Sequence, residues 1–287
     1  MVQHIALVWD GYSAEELRRF IYLQQTDFFV FSVVAPAVVV ALASVAGAGV
    51  PASAEESLGA MGATAWSTYS AAALFLASLV PLYLHAIAMP MNPKKESAQE
   101  WEAMRLLGRW PFLTRWGLTL QPVYFALSLV GEATGAPAPR RAAYALAVPV
   151  ASVGAFVTVQ FYSLVTRAST YPPVVARWAQ RGVRYELLQA LVHAPALLFG
   201  VADLHVAKQR ALLHAAMPHY GAMVCTSAAF AALYLSVMVA NKLLTGHYPY
   251  MMMAKLDTFG KFGKFAAVQV GVFQVFLLLA WLPIRFY

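Results

Sequence analysis

Residues 186–205 read ELLQALVHAPALLFGVADLH. The run is apolar over a length that can cross a bilayer, because roughly 20 residues at helical rise cover the hydrocarbon core. Inside it sits His193. An ionisable group at that depth is costly and by default marks a functional site. A lone membrane histidine is otherwise a polar bridge satisfied by its neighbours, so the choice of partner decides the reading. The partner this sequence offers is Thr114, near the start of another apolar run, Pro111–Val130.

Composition sets the class. Of 287 residues, 61% are hydrophobic and 11% charged, where a soluble domain carries about 25% charged residues. The mean hydropathy of +0.62 agrees. These values imply an all-α, polytopic membrane helix bundle. One cysteine, Cys225, excludes an intrachain disulfide and a cysteine metal cluster. The net charge of +7 fits loops facing anionic lipid, and no nucleic-acid motif accompanies it.

Seven stretches are long and apolar enough to span: Phe28–Gly49, Ala63–Met89, Pro111–Val130, Ala142–Val165, Glu186–His205, Tyr220–Leu244 and Phe265–Phe286. Acidic residues before the first of them (Asp10, Glu15, Glu16, Asp27) argue against a targeting peptide. Ser13 and Glu16 form a capping-box pattern that predicts an interfacial helix over Ala14–Gln25. The loops on the N-terminal side of the membrane hold 14 Lys and Arg, against 5 on the other side. The positive-inside rule then expects the N-terminus on the cytosolic side, or the matrix side of a mitochondrion. Endoplasmic reticulum-type and mitochondrial inner membranes both remain open. The basic-side stretches 90–110 and 245–264 read as segments at headgroup level, the first as an interfacial helix.

Thr114 and His193 both count inward from the basic side, about 5 and 11 Å deep at helical rise. They therefore lie in one leaflet. A threonine hydroxyl becomes a nucleophile when a base takes its proton, and a neutral imidazole can be that base without burying a charge. Without such a base the hydroxyl bonds its own helix or a neighbouring one. Arg115, Arg184 and Lys242 lie on the same side and could hold a substrate carboxylate; their simpler role is headgroup contact.

Several stretches, taken in order, resemble a known family. They are Ala86-Ile87-Ala88-Met89-Pro90, then Gly108-Arg109-Trp110-Pro111-Phe112-Leu113-Thr114, then Val148-Pro149-Val150 and Tyr171-Pro172. His193 with Asp203 ten residues on, and Thr245-Gly246-His247-Tyr248-Pro249-Tyr250, complete the series. The chain is similar to the androgen-induced family of transmembrane threonine hydrolases, which cleave fatty acid esters of hydroxy fatty acids. The resemblance runs over residues 63–287 and implies six family-like helices, with residues 1–62 adding an interfacial helix and one extra span. It implies Thr114 as nucleophile and His193 as base, with no cofactor or metal. Asp203 stands where the family has glutamate, and Tyr248 where it has tryptophan.

Two other readings compete. The chain could be a non-catalytic accessory subunit of a large membrane complex, such as a respiratory or ATP-synthase assembly, docked through residues 1–62. Alternatively, His85 and His193 could ligate a haem. Membrane lipids are the expected partners on every reading. Helix one, outside the family-like region, is expected at the periphery of the bundle with one face free.

Overall fold

The computed structural model describes residues 29–51, 53, 58, 62–85, 103, 104, 106–180 and 182–286. Among these there is no strand. The helices are α1 (Val30–Gly47), α2 (Ala65–Tyr83), α3 (Leu113–Thr134), α4 (Pro137–Val165), α5 (Tyr171–Ala179), α6 (Tyr185–Ala207), α7 (Arg210–Ala216), α8 (Tyr220–Thr245) and α9 (Phe259–Phe286). The last turns of α4 and α6 and the first turn of α1 are π-helical. The Ala14–Gln25 helix and most of the 90–110 helix fall outside the described residues. Leu106–Trp110 are turns.

Among the described residues, six helices are long and apolar enough to cross a membrane: α1, α2, α4, α6, α8 and α9. The protein is thus an all-α polytopic membrane bundle. The seventh predicted span is α3. At 22 residues it has the length, but Arg115, Gln121 and Glu132 lower its hydropathy. Those three side chains are all buried, so α3 is shielded from lipid by its neighbours. Boundaries moved where proline starts a helix early: α4 begins at Pro137, five residues before its apolar run, because proline fits the first helical turn.

The centre of the bundle is α4. It packs against α1, α3, α6 and α9, and 72% of its most apolar window is buried, against 17% for α9. The contact with α6 is close because glycine allows it. A Cβ on Gly154 would lie 2.2 Å from the Ala196 carbonyl oxygen, and one on Gly200 would lie 2.7 Å from the Ala151 Cα. Small residues at helix crossings are how membrane bundles gain dispersion contact without a hydrophobic driving force.

Helix α1 behaves as expected of a peripheral element. Ala35, Val39, Ala43 and Ala46 recur on one face and are buried, while Val33, Val40 and Val45 on the other are exposed. It packs on α4, α8 and α3. Arg141 Nη2 donates to the Gly47 carbonyl at 2.8 Å, and the His219 amide donates to the Gly49 carbonyl at 3.2 Å.

The half of the bundle away from Thr114 holds a buried charged network. Glu132 accepts from Ser67 Oγ at 2.7 Å and faces Arg140 Nε at 3.7 Å, and Arg140 Nη1 donates to the Leu58 carbonyl at 2.8 Å. Lys208 Nζ lies 3.5 Å from Asp203 Oδ1 and donates to Ser128 Oγ. Tyr124 donates to the other Asp203 oxygen, and the Lys208 ammonium sits over the Tyr124 and Tyr144 rings at 5.5 and 5.1 Å. Two cations therefore offset two anions. The sequence reading placed Arg140 and Lys208 in loops, whereas both are buried.

Candidate active site

His193 lies on the buried face of α6 with Gln189, Ala196 and Gly200, a spacing of four, three and four that stacks residues on one side of a helix. Its Nδ1 is 2.9 Å from the Gln189 carbonyl oxygen one turn earlier. A carbonyl only accepts, so Nδ1 carries the proton and the neutral ring presents Nε2 as an acceptor. That Nε2 is 3.1 Å from Thr114 Oγ1. The ring is stacked flat on Phe161, centroids 3.6 Å apart and planes 11° apart. Thr158 Oγ1 donates to the His193 carbonyl at 2.7 Å and holds the backbone from the other side. The imidazole is thus fixed in tautomer, tilt and height.

Thr114 is the second residue of α3 and is half-buried. The helix starts there because Pro111 follows a turn at Gly108, whose φ of 55° suits glycine, and Phe112 is extended. The Leu113 amide is one of the N–H groups that a helix start leaves without a helical partner. It donates to the Tyr250 hydroxyl at 2.9 Å. Tyr234 donates to the Pro111 carbonyl at 3.1 Å, and Trp116 Nε1 donates to the Trp110 carbonyl at 2.6 Å. Phe112 and Tyr250 meet edge to face at 5.1 Å. Burial pushes the Tyr250 phenol above its ordinary range, so it stays protonated and neutral at physiological pH.

Thr114 and His193 line a cavity of about 250 Å³ between α3, α4, α6, α8 and α9. Its wall is mainly Leu, Val, Phe and Met, with Gln160, Gln189, Gln269, Tyr234 and Tyr250 as polar points. Thr114 and His193 therefore face a largely apolar space.

The structure places the remaining predicted residues differently. Arg115 is buried beside Thr114 with its guanidinium 5.4 Å from the Trp110 ring centroid. Arg184 is exposed at the start of α6. Lys242 donates to the Gly246 carbonyl and sits 5.3 Å from the Tyr248 ring. None of the three is among the residues lining the cavity. His85 does line it, but His193 has both ring nitrogens engaged by Gln189 and Thr114, which leaves no nitrogen for a haem iron. Sequence reasoning missed Phe161 and Tyr234. Periodicity would not separate either from an ordinary core aromatic.

The chain is thus a polytopic helical membrane protein that holds a hydroxyl against a fixed neutral imidazole at the wall of a largely apolar cavity. Residues 72–283 match the family described as FAR-17a/AIG1-like protein, and the chain belongs to that family. The match begins inside α2, so α1 lies outside it. Comparison with curated proteins and comparison with solved structures gave no match.

Proposed function

We propose that the protein is an integral membrane lipid-ester hydrolase that uses Thr114 as nucleophile and His193 as general base. The observation that carries this reading is the 3.1 Å contact between Thr114 Oγ1 and His193 Nε2, with the tautomer set by Gln189. Membership of the FAR-17a/AIG1-like family supports a membrane hydrolase. Fatty acid esters of hydroxy fatty acids are the substrate class that the sequence resemblance implies.

In this mechanism Nε2 takes the Thr114 proton as Oγ1 attacks the ester carbonyl. The imidazolium then gives that proton to the departing alkoxide, leaving an acyl-threonine. Water, deprotonated by the same nitrogen, releases the acid and restores the hydroxyl. The apolar wall accepts the acyl chain and keeps bulk water from the pair. Residues 1–62 would add an appendage to a catalytic unit spanning 63–287. The basic-side loops, and with them Thr114, would face the cytosol or the matrix.

The test is turnover of a long-chain ester by the full chain in nanodiscs. Thr114→Ala and His193→Ala should each abolish it with the melting temperature held. Full activity in either variant would refute the assignment.

A further inference from the structure

When Thr114 attacks an ester, the carbonyl oxygen takes on charge. Such an oxygen is stabilised by fixed N–H or O–H donors in a site that excludes bulk water. Two side chains on the cavity wall have that chemistry. Gln160 of α4 and Gln269 of α9 both line the cavity and are half-buried. Among the described residues neither side-chain amide makes a hydrogen bond. A glutamine in a membrane helix ordinarily bonds across to a neighbouring helix, whereas these two keep their donors. Of the other polar groups on the wall, the Tyr234 hydroxyl donates to the Pro111 carbonyl and the Tyr250 hydroxyl accepts from the Leu113 amide.

Spacing puts both glutamines on the cavity face of their helices. Val157, Gln160 and Leu164 line the cavity from α4, and Ala266, Gln269 and Phe273 from α9, each at steps of three and four. Contacts between the helices set their heights. Ser152 Oγ is 3.5 Å from the Phe276 carbonyl oxygen, and the Phe156 and Phe273 rings are 5.4 Å apart. Numbering therefore rises along α4 as it falls along α9. Gln160, one turn after Phe156, comes opposite Gln269, one turn before Phe273. Against α6, Thr158 bonds the His193 carbonyl and Phe161 stacks on the His193 ring. Gln160 lies between these two in sequence, so it is level with the imidazole to within about 5 Å, one helical turn.

We propose that the Gln160 and Gln269 side-chain amides form the oxyanion site of this reaction, donating two N–H groups to the ester carbonyl oxygen. As Thr114 Oγ1 bonds to the carbonyl carbon, its proton passes to His193 Nε2 and the C=O π pair moves onto the oxygen held by the amides. Collapse restores the C=O bond and breaks the bond to the alcohol oxygen, which leaves with the proton from His193. Both donors are neutral, so they cost less to keep in hydrocarbon than a lysine or an arginine. The assignment rests on Thr114 as nucleophile and adds the groups that stabilise the intermediate it forms.

The experiment is steady-state hydrolysis of the long-chain ester by the full chain in nanodiscs, comparing the wild type with Gln160→Met and Gln269→Met. Methionine keeps the unbranched side chain and loses the amide. Each variant should lower kcat about 100-fold, the size of losing one oxyanion donor, with KM within about twofold of the wild type. A long-chain trifluoromethyl ketone, which Thr114 converts to a tetrahedral adduct, should inhibit each variant about 100-fold more weakly. A fatty alcohol of the same length, which fills the cavity without reacting, should inhibit all three proteins alike. Unchanged kcat in both variants would overturn the oxyanion site and leave the hydrolase reading intact. Equal weakening of ketone and alcohol would also overturn it, by making the glutamines packing residues of the cavity. A wild type without turnover would remove the hydrolase reading and the oxyanion site together.

Discussion

Both halves of the bundle bury polar side chains, and they do so in opposite ways. In the far half, Glu132, Arg140, Asp203 and Lys208 are paired with one another and with Ser67, Ser128 and Tyr124. None of the four charged residues lines the cavity. In the near half, Thr114 and His193 line the cavity, and His85 Nδ1 has no hydrogen-bond partner among the described residues. Burying a polar group is tolerable when its hydrogen bonds are complete. The far half offsets each buried charge with an opposite one, Arg140 with Glu132 and Lys208 with Asp203, and so serves the fold. The near half leaves hydrogen-bonding capacity unfilled around a cavity, which is what a ligand requires. About 27 Å of α3 separates Thr114 from Glu132 at helical rise, so one helix carries both arrangements.

Substitutions should separate the two halves. The largest stability effect is expected from Glu132→Ala, which strands the Arg140 guanidinium in the interior. Breaking a buried pair by removing one partner costs about 3–5 kcal/mol. Thermal unfolding in detergent should show this as a collapse of melting temperature. An unchanged melt would mean that Arg140 reaches water and that the network is not structural.

Next in size is Gly154→Ala. The added methyl meets the Ala196 carbonyl oxygen at 2.2 Å, so α4 and α6 must part. Overpacking of this kind costs about 1–3 kcal/mol. Because His193 is on α6 and Phe161 on α4, the same shift should also lower turnover. Turnover retained at the wild-type level would show that the two helices adjust without disturbing the ring.

The smallest effect should come from Tyr250→Phe, which keeps the ring against Phe112 and removes only the acceptor for the Leu113 amide. A single neutral hydrogen bond is worth about 0.5–1.5 kcal/mol. The expected result is a severalfold loss in kcat with little change in KM, since Tyr250 positions the turn bearing Thr114. A rise in KM alone would instead make the hydroxyl a substrate contact.

Much of this arrangement was legible from composition and spacing. The apolar runs gave the spans, and the isolated His193 in Glu186–His205 pointed to the candidate site. Depth counting put Thr114 in the same leaflet. Their contact was not legible, because 79 residues separate them and nothing in a single sequence fixes which helix faces meet. The far network was hidden for a different reason. Arg140 and Lys208 sit beside proline and turn signals at helix ends, where a cation ordinarily snorkels to solvent. The burial of Arg140 depends on Glu132 of α3, and that of Lys208 on Ser128 and Tyr124 of α3 and Tyr144 of α4 beside its neighbour Asp203. Helix α3 was read as a simple span, yet its polar side chains are buried because α1, α2, α4 and α6 pack against it. The short helix Tyr171–Ala179 was read only as a loop, although its prolines at the start suit a first turn.

The most direct measurement of the central claim is covalent labelling by a long-chain fluorophosphonate, read by mass spectrometry of the tryptic or chymotryptic peptide. The reagent reports a hydroxyl only when a base has activated it. The account predicts an adduct on Thr114 in the wild type and its loss in His193→Ala, with both proteins folded and α-helical by circular dichroism. An unlabelled Thr114 in the wild type, or equal labelling in His193→Ala, would contradict it.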